Sequence, residues 1–297
     1  MKRLLVVYNH SISKEDFTSK NQHLLDLAKK YNIEVDLKSN AEIYIFLNVN
    51  KVKSFYGNFN YDCCLFFDHD PYLAKNLELL GLKVINSANA HLLCENKANM
   101  YQELIKNNIS IPKTILLPEL GEYSSEGIKK FVDEAINELS LPLVIKMWYG
   151  ATGEGVYLVK NREDVYAVID KFKGQNILLQ EFVVESAGTD IRLFVAKDKV
   201  VTAVRRQSGD GTFRSNSSLG GSVSLYIPTI VEQKLATMAV KAMNCDFGVV
   251  DILKSVTGSL VLEVNATANF AKLYEVTKVD VYDELLKLCF KIKKKAK

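Results

Sequence analysis

The sequence lacks long apolar runs, and its longest are far shorter than the roughly 20 residues that a membrane-spanning helix needs. Met1, Lys2 and Arg3 lead directly into a short strand pattern and not into the apolar core of a signal peptide. The formal net charge is only +3, too small to indicate nucleic-acid binding. These absences predict a cytoplasmic protein with neither membrane nor nucleic-acid partners.

Cysteine is scarce and shows no pairing pattern. The chain has five cysteines, an odd number, and they form neither CxxC pairs nor the Cys and His spacing of zinc sites. We therefore expect free thiols in a reducing compartment. A Ser/His/Asp or Cys/His constellation is also missing, so the sequence does not indicate a covalent protein intermediate. The cysteines are Cys63, Cys64, Cys94, Cys245 and Cys289.

What is present suffices for a folded core. With 297 residues, 48% of them hydrophobic and 25% charged, the chain is long enough for two or three subdomains. Strand patterns at residues 4–8, 43–47, 63–67 and 83–86 alternate with helix patterns at 22–30 and 72–80. Such alternation predicts a small parallel sheet with helices on both faces.

The loop Asp68, His69, Asp70 follows one of these strands. Open α/β sheets bind ligands at the carboxyl ends of their strands, so His69 could contact a substrate. Asp68 or Asp70 could equally cap the helix that follows, because aspartate is a favoured N-cap residue. Both interpretations stay open for this loop.

A second block begins with a helix pattern at 95–106 and contains a glycine-rich turn. The apolar strand at 143–146 ends on Lys146, the turn spans 150–155, and a strand returns at 156–159. Backbone N–H groups of such a flap can close over phosphate oxygens, with Lys146 supplying positive charge. The glycines open no helix, so this is neither a Walker A loop nor a Rossmann turn. An ordinary hairpin loop is the alternative.

Arginines bracket a polar, glycine-rich loop in the third block. A hairpin pattern covers residues 190–206, and four arginines fall within 23 residues. Guanidinium groups suit phosphate and carboxylate oxygens. Structural ion pairs are the alternative, although few acidic residues lie nearby in sequence. The arginines are Arg192, Arg205, Arg206 and Arg214.

Residues 247–265 read as two apolar strands joined by a three-residue turn at 256–258. In that register Asp251 lies opposite Glu263, and Asn265 shares a face with Glu263 because side chains alternate along a strand. Three oxygen ligands at this spacing suit Mg²⁺, which phosphates normally complete. A polar hairpin face in contact with water is the alternative. The apolar neighbours favour the metal, because buried carboxylates need a cation.

Five stretches occur together in the order of one known family: CENKANMYQELIKNNISIPKT, LPLVIKMWYGATGEGVYLV, LLQEFVVESAGTDIRLFV, RRQSGDGTFRSNSSLGG, and FGVVDILKS followed by LVLEVN. Over residues 86–269 the chain resembles the ATP-grasp superfamily, and more closely its branch of ribosomal protein S6 glutamate ligases and related amino-acid ligases. It departs from that pattern after Asn265, where residues 266–270 replace a small-residue and Pro-Gly turn.

The resemblance implies a nucleotide site. Lys97 and Lys146 match two lysines that hold nucleotide phosphates, and Asp190 matches an acidic residue at the ribose. The flap resembles a mobile lid that contains Gly153 and Gly155. The strand that reads adenine would comprise Gln180, Glu181, Phe182 and Val183.

The resemblance also implies a reaction centre. Asp251, Glu263 and Asn265 match metal ligands, while Arg214 and Asn216 match positions that face the triphosphate and the reacting groups. ATP and Mg²⁺ would be the cofactors, with two ions and with Mn²⁺ as an alternative metal. Anchors for an acyl phosphate or a substrate carboxylate would be Arg192 and either Arg205 or Arg206.

The implied fold is the α/β ATP-grasp fold in three parts. These are an N-terminal Rossmann-like subdomain (1–93), a central lid subdomain (94–183) and a C-terminal antiparallel-sheet subdomain (184–297), with ATP between the last two. The implied activity is ADP-forming ligation, through an acyl phosphate, of an amino acid such as glutamate to an amino acid, peptide or protein terminus. A kinase acting on a small-molecule hydroxyl and a nucleotide-binding protein without turnover are the alternatives, and homo-oligomerisation is left open.

Overall fold

The computed structural model describes residues 1–48, 51–54, 59–118, 126–150, 153, 155–172, 174–209, 211–213, 221–268, 270–290 and 292. Within those ranges the chain forms three main sheets and a small separate hairpin. None of the helices in the described part is long and apolar enough to cross a membrane.

The N-terminal part is a parallel sheet with helices, as predicted. The sheet order is β2-β1-β5-β6, and every pairing in it is parallel. The elements are β1 (Lys2–Tyr8), α1 (Lys14–Lys20), α2 (Gln22–Lys30), β2 (Ile33–Ser39), a 3₁₀ turn (Asn40–Glu42), β3 (Ile45–Asn48), β4 (Lys51–Ser54), β5 (Cys63–Phe66), α3 (Pro71–Leu79), β6 (Val84–Ile85) and α4 (Ala88–Glu95).

Two details of this sheet differ from the sequence prediction. The strand predicted at 43–47 is β3, which pairs antiparallel with β4 outside the parallel sheet. The place beside β1 belongs to β2, which was not predicted. The sequence of β2, IEVDLKS, alternates apolar and polar residues because it is an edge strand with a half-buried surface. It therefore lacks the continuous apolar run of a central parallel strand.

The central part is a four-stranded antiparallel sheet in the order β7-β10-β8-β9. Helices α6 and α7 contribute Val132, Ile136 and Ile169 to a core that also contains Ile145 and Leu179. The helix predicted at 95–106 is interrupted at Asn96, whose side chain caps a new helix. The elements are α5 (Lys97–Lys106), β7 (Thr114–Leu116), α6 (Lys129–Leu139), β8 (Leu143–Met147), β9 (Val156–Val159), α7 (Arg162–Lys171) and β10 (Ile177–Glu181).

The C-terminal part is a five-stranded antiparallel sheet in the order β13-β12-β11-β14-β15. Both predicted hairpins, at 190–206 and 247–265, are present in it. The elements are a 3₁₀ turn (Val184–Ser186), β11 (Thr189–Ala196), β12 (Lys199–Gln207), β13 (Ser222–Leu225), α8 (Ile230–Ala242), β14 (Phe247–Ser255), β15 (Gly258–Asn265), α9 (Phe270–Thr277) and α10 (Val281–Cys289).

Packing between the three parts fixes the position of α5. Its residues Met100 and Leu104 lie in the core beneath the C-terminal sheet, together with Ile252 of β14. The fully buried Asn86 joins the N-terminal part to the same sheet: its amide donates to Phe247 O and Ala266 O and accepts from Phe247 N. The start of α5 is thereby held beside β15.

Phe270, at the end of the stretch where the chain departs from the family pattern, also contributes to this packing. Phe270 is buried among Phe194, Phe247 and Tyr282, with ring centroids 5.6, 5.6 and 6.0 Å away. A large aromatic ring there fills the core between the C-terminal sheet and α10.

Candidate active site

Asp251 and Glu263 face each other across the β14–β15 hairpin, which confirms the predicted pairing. The predicted three-residue turn is wrong: Ser255 pairs with Gly258, so the loop has two residues. With that loop alone Asp251 would lie opposite Leu262. A β-bulge follows instead, and the register skips Leu262 so that Glu263 is the partner of Asp251.

Asp251 is buried and lies in a network of ion pairs. The guanidinium of Arg192 donates from Nε to Oδ1 and from Nη2 to Oδ2, both at 2.7 Å. Arg206 donates to Oδ2 at 2.9 Å and makes a second, two-pronged pair with the buried Asp190. Burial acts to raise the pKa of Asp251, but Arg192 and Arg206 outweigh it and the pKa is lowered. The carboxylate therefore stays ionised.

The structure places two further predicted residues, Arg205 and Asp190. Arg205 is exposed, on the opposite face of β12 from the buried Arg206, because neighbouring side chains on a strand alternate. Arg214 and Asn216 lie outside the described residues. Asp190, predicted at the ribose, accepts hydrogen bonds from Arg206 in this structure.

Lys97 connects the start of the glycine turn to the β14–β15 hairpin. Its Nζ lies 3.5 Å from Glu263 Oε1 and donates to the carbonyl of Gly150 at 2.7 Å. Its backbone N–H donates to Trp148 O at 2.9 Å. One lysine at the start of α5 thus contacts both the strand that carries Glu263 and the segment that begins the glycine turn.

Lys146, the second predicted phosphate lysine, is buried near the same carboxylate. Burial lowers the pKa of its ammonium to about 8; Lys97 acts in the same direction and Glu263 opposes it. Its Nζ donates to Gln180 Oε1 at 2.6 Å. A buried, only partly neutralised ammonium of this kind is suited to receive a polyanion.

The predicted adenine strand runs along the end of β10. Gln180 is buried and also donates to Thr114 Oγ1 at 2.8 Å, while Glu181 accepts from the backbone N–H of Lys113. Val183 is buried, and Phe182 meets Phe213 edge to face at 6.3 Å. The side chain of Gln180 is therefore engaged by Lys146 and Thr114.

Two glycines of the flap have backbone conformations that favour glycine over other residues. Gly153 and Gly155 have φ of 82° and 68°, a region that disfavours other residues. A Cβ atom on Gly155 would stand 2.7 Å from Met147 Sδ. Residues 151, 152 and 154 lie outside the described part.

The donor set of the hairpin fits a hard divalent cation. Asp251 Oδ1 accepts from Arg192 Nε, and a carboxylate oxygen has a second acceptor position. The buried Nδ2 of Asn265 has no hydrogen-bond partner, and exchanging the amide oxygen and nitrogen would present an acceptor there without changing the side chain's shape. Among the described residues no group of three His, Cys, Asp or Glu side chains could hold a metal. An ion here would therefore need the amide and substrate phosphates as well, as Mg²⁺ does.

The loop after β5 caps the helix that follows it, which is one of the two interpretations that its sequence left open. Asp70 caps α3 by accepting from Tyr72 N and Leu73 N. His69 Nδ1 lies 2.6 Å from Glu95 Oε1, and that contact raises the pKa of His69, with Glu263 acting in the same direction. The carboxyl edge of the N-terminal sheet thus lies near Glu263 of the β14–β15 hairpin.

Sequence reasoning missed two contacts near the hairpin, those of Glu95 and Tyr101. Tyr101 is four residues after Lys97 on α5, and its hydroxyl donates to Leu262 O at 2.9 Å. The i, i+4 spacing on one helix face was the available signal. The bulge that brings Leu262 O into reach of Tyr101 has no recognisable signal in the sequence.

Comparisons with known proteins agree with this geometry. Residues 94–289 match the family described as the RimK-like ATP-grasp domain. The chain is 33% identical over 219 residues to a ribosomal protein bS6–L-glutamate ligase of Escherichia fergusonii, which covers 72% of this chain and 69% of that protein.

Solved structures are similar over nearly the whole chain. The RimK domain ATP-grasp protein of Sphaerobacter thermophilus superimposes with a TM-score of 0.70 at 19% identity, covering 97% of this chain and 99% of that one. The ATP-grasp ligase PsnB, in complex with a precursor variant, Mg and ADP, gives 0.68 at 16% identity, covering 98% and 99%. These likenesses confirm the predicted fold class, a mixed α/β ATP-grasp fold.

Proposed function

The chain belongs to the RimK-like ATP-grasp family, and on that premise we propose that it is an ADP-forming carboxylate–amine ligase that joins glutamate or a similar amino acid to an amino acid, peptide or protein terminus. The family binds ATP and Mg²⁺, and the relative at 33% identity is an L-glutamate ligase by name. The acid and the amine of this chain's own reaction are the proposed part.

The observation that carries the proposal is the convergence of Lys97, Lys146 and Glu263 where the central and C-terminal sheets meet. Two ammonium groups, one of them buried with its pKa lowered to about 8, lie near one metal-type carboxylate. Removing charged groups from water is costly unless a counter-charge arrives. ATP phosphates would supply the negative counter-charge for the two ammonium groups.

We assign the roles within the site accordingly. Lys97 and Lys146 bind phosphates, Asp251, Glu263 and Asn265 hold the metal, and Arg192 faces the transferred group. Mg²⁺, when bound, would neutralise phosphate charge, and a second ion or Mn²⁺ in its place belongs to the same proposal. Arg214 and Asn216 keep their proposed places facing the triphosphate. Adenine contacts are assigned to Glu181, Phe182 and Val183, and the lid to Gly153 and Gly155.

The chemistry needs positioning more than side-chain reactivity. A carboxylate oxygen of the acid attacks the γ-phosphorus, the bond to the β–γ bridging oxygen breaks, and ADP leaves. The amine then attacks the acyl carbon and loses a proton, and phosphate leaves with the oxygen that came from the carboxylate. The lysines and arginines stabilise charge on the phosphoryl oxygens, and a closed flap excludes the water that would hydrolyse the acyl phosphate.

The N-terminal part is proposed to help bind a small-molecule or peptide substrate. A cavity of about 470 Å³, lined by His10, Asn40, Phe46, Asp70 and Tyr72 among others, lies at the carboxyl edge of its parallel sheet. That volume is in the range of small-ligand pockets. In this proposal residues 1–93 recognise the substrate, residues 94–183 form the lid, and residues 184–297 carry the metal ligands.

The test is a product analysis. Purified protein with ATP, Mg²⁺ and L-glutamate is combined in turn with amino acids and with short peptides, and released nucleotide and phosphate are measured by chromatography. We expect ADP and phosphate only when an acid and an amine are both present. AMP and pyrophosphate as products would refute the proposal, and a stable phosphorylated product without an amine would assign the protein to the kinases.

A further inference from the structure

Glu263 stands beside an irregular point of the sheet. The register of β14 and β15 skips Leu262, immediately before Glu263. At a bulge the ladder is locally disrupted and the strand bends, so the direction of the next side chain is set by whatever holds the bulge. β15 is also the edge strand, with no further strand beside it in the described sheet.

Helix α5 contacts β15 on both sides of this irregular point. The hydroxyl of Tyr101 donates to Leu262 O at 2.9 Å, and Met100 Sδ lies 3.3 Å from Val264 N. The two contacts flank Glu263, one residue before it and one after it. Both Tyr101 and Met100 are buried.

The same hydroxyl lies close to the residue that holds the second lysine. Burial raises the pKa of Tyr101, and Gln180 acts in the opposite direction. Gln180 accepts from Lys146 Nζ at 2.6 Å and donates to Thr114 in the neighbouring strand. Tyr101 therefore lies between Gln180 of the central sheet and Leu262 of the β14–β15 hairpin.

We propose that Tyr101 is a positioning residue that fixes the bulge at Leu262, and with it the direction of the Glu263 carboxylate toward the metal. This rests on the proposed metal role of Glu263 and extends it to a residue that does not touch metal or substrate. Loss of the hydroxyl leaves the carbonyl of the half-buried Leu262 without this donor, and the strand around Glu263 shifts to find another partner.

The test uses Tyr101→Phe, which removes one oxygen and keeps the ring. Mn²⁺ binding to the complex of the full-length protein with a non-hydrolysable ATP analogue is followed by electron paramagnetic resonance of free Mn²⁺. We expect about tenfold weaker Mn²⁺ binding, at the lower end of the 10- to 100-fold effects of residues that support metal ligands. Affinity for the analogue without metal, followed by the fluorescence of the single tryptophan, Trp148, changes less than twofold.

Tyr282→Phe is the matched control. Tyr282 is equally buried, and its hydroxyl donates to Asn21 Oδ1 at 2.8 Å, on the side of the molecule formed by α2 and α10. It should leave Mn²⁺ binding unchanged. Met100→Leu, which keeps the volume and removes the sulfur contact, is a second variant and is expected to weaken Mn²⁺ binding two- to threefold.

The outcomes are distinguishable. Wild-type Mn²⁺ affinity in folded Tyr101→Phe overturns the inference and makes the tyrosine purely structural. If Tyr101→Phe does not fold, unchanged Mn²⁺ affinity in Met100→Leu overturns it. If wild-type protein binds Mn²⁺ with the analogue but ligates no acid to an amine, the inference stands and the proposed function fails.

Discussion

The ammonium of Lys97 lies 3.5 Å from the carboxylate of Glu263 and joins the start of α5 to the edge strand of the C-terminal sheet. Both side chains keep some exposure to solvent, 11% for Lys97 and 27% for Glu263. An ion pair of this kind contributes little to folding, on the order of 1 kcal/mol or less. In the proposed site this pair keeps the lysine assigned to phosphate and the carboxylate assigned to the metal at close range.

Replacing Glu263 by Gln should therefore separate function from stability. We expect ADP formation to fall by at least about 100-fold, the upper end of what residues supporting a metal cost when removed. The thermal midpoint should change by only a few degrees, because the lost ion pair is weak. Glu103→Gln removes a carboxylate elsewhere on α5 that pairs with Lys106, and it should leave both quantities unchanged. Normal turnover in Glu263→Gln would mean that the hairpin is structural.

Lys146→Met tests the buried lysine as a phosphate ligand. A charged hydrogen bond contributes about 1.5–3 kcal/mol, so affinity for the ATP analogue should fall roughly 10- to 150-fold. The change is read by calorimetric titration. Lys171→Met, at an exposed lysine whose Nζ contacts Tyr157 OH, is the control. An unaltered affinity in Lys146→Met would remove Lys146 from the site.

The lowered pKa of Lys146 predicts a pH dependence. Without ligand the ammonium loses its proton near pH 8, and bound phosphates raise that pKa, so binding of the analogue takes up a proton above pH 8. Affinity should fall as pH rises through 8, by up to about tenfold per unit. Calorimetry at pH 8.5 in two buffers of different ionisation enthalpy measures the uptake, which Lys146→Met should abolish. Equal heats in both buffers with wild-type protein would contradict the assignment.

The same lysine has the opposite effect on the unliganded fold. Its native pKa of about 8 is below the ordinary value of 10.5, so between those values the unfolded chain binds more protons. The contribution of Lys146 to the free energy of unfolding therefore rises with pH across that window. Urea denaturation at pH 7.5 and pH 10, compared between wild type and Lys146→Met, isolates this contribution.

Arg205 and Arg206 are neighbours with opposite surroundings, which makes them a matched pair. Arg206 is buried between Asp190 and Asp251, whereas Arg205 is exposed. Arg206→Ala removes the buried cation that pairs with both Asp190 and Asp251 and should destabilise the protein by about 3–5 kcal/mol. Arg205→Ala should cost less than about 0.5 kcal/mol. Urea denaturation curves of the two variants measure both changes in the free energy of unfolding. Similar changes for the two variants would disagree with the burial of Arg206.

Much of the fold was predictable because its strands and helices carry strong local signals. The helix at Gln22–Lys30 and the strand at Val156–Val159 have the predicted bounds. β2 was missed although its sequence, IEVDLKS, alternates apolar and polar residues, which is itself the signal of a half-buried strand.

The site was less predictable because its geometry depends on long-range contacts. The sequence predicted the pairing of Asp251 with Glu263 correctly but with a turn that is one residue too long. The observed turn is shorter, and the bulge at Leu262 restores the predicted pairing. No local signal encodes that bulge. The pairing of Asp190 with Arg206 follows from strand register, which the residue types alone do not determine.

The central claim is that a carboxylate accepts the γ-phosphoryl group before the amine attacks. The most direct measurement uses an acid substrate labelled with ¹⁸O in its carboxylate, with mass analysis of the phosphate released during ligation. Transfer of one ¹⁸O atom into each phosphate is the predicted result. Unlabelled phosphate, with the lost ¹⁸O atom found in water or in the nucleotide product, would contradict an acyl phosphate and with it the account of the site.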